Sequence, residues 1–204
     1  MLLRKPRPVH EYREGIKNAI IDIRRLEGLL KSMLQLARAE ERAIRGVPED
    51  IDAVDVGLTC QAVMQRYIPF ARERQVSFSY CGDEPLPVRA RNEDLEQIWS
   101  NLLENAIRYS PPQSSIELSA RRAKGAVASV TVEDHGSGIP ASELPHIFDM
   151  FHRGDASRSR ETGGCGLGLA TVKGLVKIYG GTVEAESRSG KGTQMVVTFP
   201  LVSR

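Results

Sequence analysis

Three groups of side chains have types and spacings that suit ligand chemistry. Asp134 ends an apolar run and is followed by His135-Gly136-Ser137-Gly138. A carboxylate at a strand end followed by two glycines lets the backbone pass close to a ligand. The acid can accept a hydrogen bond from an exocyclic amine such as that of adenine. Taken alone, the same residues also read as a plain Asp-x-Gly turn. Asn101, Asn105 and Arg108 recur at i, i+4 and i+7, so they share one face of a helix. Amide oxygens ligate Mg²⁺, and a neighbouring cation holds phosphate oxygens. An ordinary solvated polar face has the same spacing. Thr162-Gly-Gly-Cys-Gly-Leu-Gly-Leu-Ala170 opens a further helix. Bare amides at a helix N-terminus favour phosphate. The Gly-Lys-Ser/Thr ending of a P-loop is absent. A dinucleotide fingerprint is equally unconvincing, because an Arg/Ser run precedes the glycines where a strand is needed.

The elements that must position these groups follow from periodicity. From Tyr12 to Ile44 there is no proline, and Ile16, Ile23, Leu30, Ala37 and Ile44 fall seven apart. Ala19, Leu26 and Met33 form a second row, so the pattern is a heptad seam, broken at Glu40. Ile20, Leu29, Leu34 and Leu36 widen it, which suits a helix in a four-helix bundle. Pro6 and Pro8 limit its backward extension. Arg45-Gly-Val-Pro-Glu-Asp50 reads as a turn or linker. After it come a helix from Val56 to Arg74, expected to be disturbed at Pro69, and a strand from Val76 to Tyr80. Pro87–Arg91 is a short strand candidate, and Asn92 is the expected cap of a helix from Glu93 to Tyr109, stopped by Pro111 and Pro112. Leu102, Leu103, Ala106 and Ile107 should face the core. Ser115–Arg121 with Ala126–Glu133, and Thr182–Ser187 with Gln194–Phe199, read as hairpins on either side of a helix from Leu167 that ends at Gly180-Gly181. Helices and hairpins without regular βαβ units predict an α+β sandwich, a mixed sheet covered by helices on one face.

Composition narrows the class. The 204 residues carry Lys+Arg 28 against Asp+Glu 26, a formal charge of +2, with 41% hydrophobic and 26% charged residues. That is ordinary globular usage and excludes a disordered or collagen-like chain. A charge near neutral argues against a nucleic-acid binder. Cys60, Cys81 and Cys165 are too few and scattered for a disulfide framework and fit a reducing compartment. No apolar run approaches the roughly 20 residues needed to span a bilayer, and the N-terminus does not read as a signal peptide.

In this order and spacing, the motifs resemble the ATP-binding catalytic domain of sensor histidine kinases, within the GHKL superfamily. Asn101–Ser110 resembles the N box, Asp134–Gly138 the G1 box, and Ile147–Phe151 with His152-Arg153 the F box. Gly164–Ala170 resembles the G2 box, and Gly190-Lys-Gly-Thr193 the closing Gly-x-Gly-Thr. The likeness covers roughly residues 50–200. The helix at 12–44 resembles the second helix of the dimerisation and phosphotransfer hairpin. The implied division is residues 1–46 as part of that region and 47–204 as the catalytic domain. The implied fold is the Bergerat-type two-layer α/β sandwich, preceded by a long helix of a helical-bundle dimerisation region.

The resemblance also implies roles. Asp134 would bind the adenine amino group with Thr193 nearby, and Tyr109 would lie against the purine. Asn105 would ligate Mg²⁺ between the phosphates of ATP, assisted by Asn101. Arg108 stands where the family often has Lys. Gly136, Gly138, Gly164, Gly166, Leu167 and Gly168 would line the nucleotide. Residues from about Met150 to Gly163 would form a lid, mobile without nucleotide, from which Arg153 would reach the γ-phosphate. Arg158 and Arg160 lie in the same stretch. The family's phosphoacceptor lies in a His-Glu-x-x-x-Pro-like run. Here His10-Glu11-Tyr-Arg13 copies its start, but Gly15 replaces the proline. The expectation is therefore a catalytic fragment lacking its acceptor helix, the cytoplasmic portion of an inner-membrane sensor. The implied partners are a second copy and a response-regulator receiver domain. His135 stands where the family commonly has Asn, and Cys165 reads as a tolerated small side chain. The alternatives are a GHKL-type ATPase, or a nucleotide-binding regulatory or dimerisation module without kinase activity.

Overall fold

A computed structural model describes residues 8–45, 51–82, 85–152 and 166–202. The long helix α1 spans Val9–Arg45, starting directly after Pro8, whose carbonyl accepts from the amides of Glu11 and Tyr12. The start agrees with the proline argument, because the pyrrolidine has no N–H to give to a preceding turn. The expected linker at 46–50 lies outside the described residues.

The remaining elements are β1 (Ala53–Asp55), α2 (Val56–Glu73), β2 (Ser77–Cys81), β3 (Pro87–Arg89), α3 (Asn92–Tyr109), β4 (Ser115–Ala123), β5 (Val127–Asp134), α4 (Gly168–Ile178), β6 (Thr182–Ser187) and β7 (Thr193–Pro200). A 3-10 turn covers Leu144–His146. The strands β2-β4-β5-β7-β6 form one sheet, with β2 parallel to β4 and the other pairs antiparallel. β1 and β3 form a separate antiparallel pair.

The expected α+β sandwich is present. Along β4, β5 and β7, the residues Ile116, Leu118, Ala120, Ala128, Val130, Val132, Met195, Val197 and Phe199 fall at every second position and are all buried. This period of two turns one sheet face towards the helices. The helices supply Val56, Val63, Leu95, Ile98, Trp99, Leu102, Leu103, Val172, Leu175 and Val176 to the same core. Trp99 of α3 stacks edge-on against Phe199 of β7, with centroids 6.4 Å apart, a preferred aromatic geometry. α1 runs alongside α4.

Two local expectations are corrected. α2 continues through Pro69 to Glu73. Asn92 is the first residue of α3, not its cap, and the capping position is Arg91, which makes no side-chain cap bond. The Asn92 amide is engaged elsewhere. It donates to Glu96 Oε1 at 2.8 Å and accepts from Thr59 Oγ1 at 3.4 Å.

Candidate functional site

Asp134 closes β5 between two neighbours, opposite Ile116 of β4 and Thr193 of β7. This register sets the acid beside the threonine, and a one-residue slip would turn Asp134 to the other sheet face. The carboxylate is buried and accepts the Gly136 amide at 2.8 Å on Oδ1. Desolvation pushes its pKa above the usual carboxylate value. The backbone amides of Gly136 and Thr193 and the nearby His135 ring oppose that rise, and Glu133 adds to it.

The loop after Asp134 is interlocked with the β6–β7 turn. The Ile139 amide donates to Ser187 Oγ at 2.8 Å, and that hydroxyl donates to Gly192 O at 2.6 Å. Ser187 Oγ also lies 3.0 Å from Thr193 Oγ1. The Gly190 amide donates to Ser137 O at 2.6 Å. Gly138 has φ +66°, and any Cβ there would collide with the Arg188 carbonyl. Only glycine meets both conditions without strain. A Cβ on Gly136 would stand 2.5 Å from the Tyr109 carbonyl. Gly136 thus seats the loop on the C-terminal end of α3, and Gly138 seats it on the β6–β7 turn.

α3 carries the second group. Leu102, Leu103, Ala106 and Ile107 are buried as expected, while Asn101, Asn105 and Arg108 are half-buried on the other side. Asn101 meets α4, where a Cβ on Gly168 would lie 3.3 Å from Asn101 Oδ1. α3 therefore reaches from the Gly136 loop at Tyr109 to the start of α4 at Asn101, about 12 Å along its axis, with Asn105 midway. Tyr109 is 40% exposed, its ring open to solvent. Glu104 turns away and accepts the Tyr67 hydroxyl at 2.6 Å. Burial and that carboxylate push the Tyr67 pKa up to about 12, so the hydroxyl stays a donor.

The start of α4 has the third group. Its cap position, Leu167, makes no side-chain cap bond, and the first-turn amides of a helix have no partner within the helix itself. The Leu167 side chain is 1% exposed and belongs to the core, so only its backbone can face a ligand. Gly166 has φ +70° and sits against the backbone of Phe151 and His152, and the Phe151 amide donates to Gly166 O at 2.8 Å. Arg153, Arg158, Arg160, Gly164 and Cys165, with most of the expected lid, lie outside the described residues.

A triphosphate with a magnesium ion suits what is present. Asn101 Nδ2 is buried and has no partner among the described residues. The half-buried Asn105 offers a carboxamide oxygen, a ligand type that suits Mg²⁺, which takes few protein ligands and relies on substrate phosphates and water. His146 pairs with Asp149 at 3.0 Å on the surface, and the exposed His135 places Nδ1 3.2 Å from Ser115 O. No helix among the described residues is long and apolar enough to cross a membrane. Ser187 was not among the sequence candidates, because a serine at a strand end carries no periodic or motif signal.

Comparison with known proteins bears on the family and the fold. Residues 90–203 match the family described as histidine kinase-, DNA gyrase B-, and HSP90-like ATPases. The chain is 33% identical over 196 residues to the sensor histidine kinase YkoH of Bacillus subtilis, covering 96% of this chain and 40% of that protein. It therefore spans less than half the length of that relative. The mycobacterial sensor histidine kinase MprB superposes with a TM-score of 0.64 at 25% identity, covering 76% of this chain and 99% of the solved one. ShkA, solved full-length in complex with AMPPNP, gives 0.73 at 22% identity over 100% of this chain and 41% of its own. The last likeness bears on the fold alone.

Proposed function

The chain belongs to the histidine kinase-, DNA gyrase B- and HSP90-like ATPase family, and on that premise we propose that it is the catalytic part of a sensor histidine kinase. It binds Mg·ATP and donates the γ-phosphoryl group to a histidine, for relay to an aspartate of a response-regulator receiver domain. The observation that carries this reading is the reach of α3. One helix joins the loop of a buried acid to an uncapped helix start, and it presents Asn101, Asn105 and Arg108 between them. Membership of an ATPase family supports a nucleotide as the ligand.

Each residue has a task in this reading. Asp134 accepts the adenine amino hydrogen, and Thr193 supports it from the paired strand. Tyr109 covers the purine. The Asn105 carboxamide ligates Mg²⁺, which when bound neutralises phosphate charge. Asn101 Nδ2 and Arg108 donate to phosphate oxygens, and the amides of Gly166, Leu167 and Gly168 supply further donors. Arg153 is assigned to the γ-phosphate. Phosphoryl transfer needs chiefly positioning and charge neutralisation. The acceptor imidazole nitrogen forms the new N–P bond as the bond to the β–γ bridging oxygen breaks, leaving ADP. The division at residues 46 and 47 belongs to the same proposal. So does pairing with a second copy through α1, where Ile16, Ile23, Leu26, Leu30 and Met33 are each more than half exposed. His10 is not assigned as the acceptor, since Gly15 breaks the motif. An attached inner-membrane sensor also belongs to this reading.

The competing reading, an ATPase of the gyrase or MutL type, is disfavoured. The resemblance implies a catalytic Glu at the position held by Asn101, and a carboxamide does not deprotonate water. Glu104, the adjacent acid, is bound to Tyr67. Calorimetric titration with Mg·ATP tests the proposal. The parent is expected to bind and Asn105→Ala to lose the Mg²⁺-dependent part. Equal, weak binding by both would overturn it. Incubation with labelled ATP should leave no acid-labile phosphohistidine at His10.

A further inference from the structure

α3 and α4 run antiparallel and meet at two places. At the candidate site, Gly168 sits against Asn101. At the far end, the Tyr179 hydroxyl donates to Asp94 Oδ2 at 2.6 Å and accepts the Arg91 amide at 3.3 Å. Asp94 is in the first turn of α3, and Tyr179 is the C-terminal cap of α4. Both are buried, at 6% and 8% exposure. The ring is held from behind as well. The chain turns at Gly180 with φ +67°, and the Gly181 amide donates to Val176 O at 3.0 Å. A Cβ at Gly181 would run into the Thr198 carbonyl of β7, so the turn is pressed against the sheet.

We infer that the Tyr179–Asp94 hydrogen bond positions the phosphate-binding end of the candidate site. Seven residues, about 10 Å of α3, separate Asp94 from Asn101. Helices are stiff along their axes, so a slide of α4 against α3 at Tyr179 reappears at Gly168 with little loss. The bond therefore sets the gap between Asn101 and the open amides of α4, where phosphate oxygens must be held from both sides. The adenine end is independent of it, because Asp134 is fixed by β4, β7 and the Ser187 interlock. Tyr179 and Asp94 are positioning residues, and their effect is confined to one end of the ligand. The inference rests on the nucleotide reading above.

The test compares two probes, Mg·AMPPNP and adenosine, by calorimetry on the full 204-residue chain. Tyr179→Phe is expected to weaken Mg·AMPPNP about five-fold, the scale of one buried hydrogen bond, and to leave adenosine affinity unchanged. Asp94→Asn keeps an acceptor oxygen and is expected to stay within about two-fold of the parent. Tyr179→Phe removes one hydrogen bond from a buried carboxylate, which lowers stability. The double variant Tyr179→Phe/Asp94→Leu removes that carboxylate and should show the same split between probes. Equal loss for both probes marks a general loosening and overturns the inference, as does parental affinity in Tyr179→Phe and the double variant. A parent that binds neither probe overturns the nucleotide reading itself, a result distinguishable from the others.

Discussion

The two ends of the candidate site are built from different materials. At the strand end, Asp134 is held by main-chain groups and its loop is locked to the β6–β7 turn through Ser187, Gly138 and Gly192. At the helix end, the candidate groups are half-buried side chains on α3 and the open amides of α4, and Asn101 Nδ2 has no partner among the described residues. The cost of ordering the first end is met during folding. The second retains hydrogen-bonding capacity for a ligand to satisfy.

The largest expected effect comes from breaking the interlock. Gly138→Val places a β-branched side chain at positive φ against the Arg188 carbonyl. It should cost about 3 kcal/mol or more of unfolding free energy and abolish nucleotide binding, as urea melts and calorimetry would register. Asp134→Asn separates affinity from stability. Loss of a charged acceptor should weaken ATP binding about 10- to 100-fold. Since burial raises the pKa of Asp134, ionising it disfavours the fold at neutral pH, and the variant should melt at the same temperature as the parent or higher. Any such advantage should shrink as pH falls through the raised pKa towards 3.8, where the parent's carboxyl is itself neutral.

Smaller changes sharpen the contrast at the helix end. Asn105→Ala should reduce Mg·ATP affinity about ten-fold, leave adenosine binding intact and shift melting little, because the side chain contributes nothing to the core. A melting loss as large as that of Gly138→Val would refute the division between the two ends. Tyr67→Phe should be the mildest. Its bond to Glu104 lies on the exposed side of α3, so stability should fall by about 1 kcal/mol or less, with nucleotide affinity unchanged. A gain in ATP hydrolysis in that variant would show that Tyr67 restrains Glu104, and would reopen the hydrolase reading.

Much of this was legible beforehand, for identifiable reasons. The Asn101, Asn105 and Arg108 spacing and the apolar positions between them define both faces of α3, because helical periodicity is local. Alternation in β4, β5 and β7 exposed the buried sheet face in the same way. Asn92 reads as a cap from its neighbours but is not one, because its partners, Thr59 and Glu96, include one 33 residues away. The Tyr179–Asp94 bond spans 85 residues, and Ser187 reaches Ile139 across 48. No window of neighbouring residues contains such information.

Residue order alone determined the element sequence, the glycine positions, the polar stripe of α3 and the likeness to a family, since these depend on spacing along one strand of chain. Tertiary structure decided which ends meet: Gly136 against Tyr109, Gly168 against Asn101, and Thr193 beside Asp134. The physical reason is that close packing and sheet register are settled by the whole core at once, so contacts between distant segments exist only once the helices lie on the sheet.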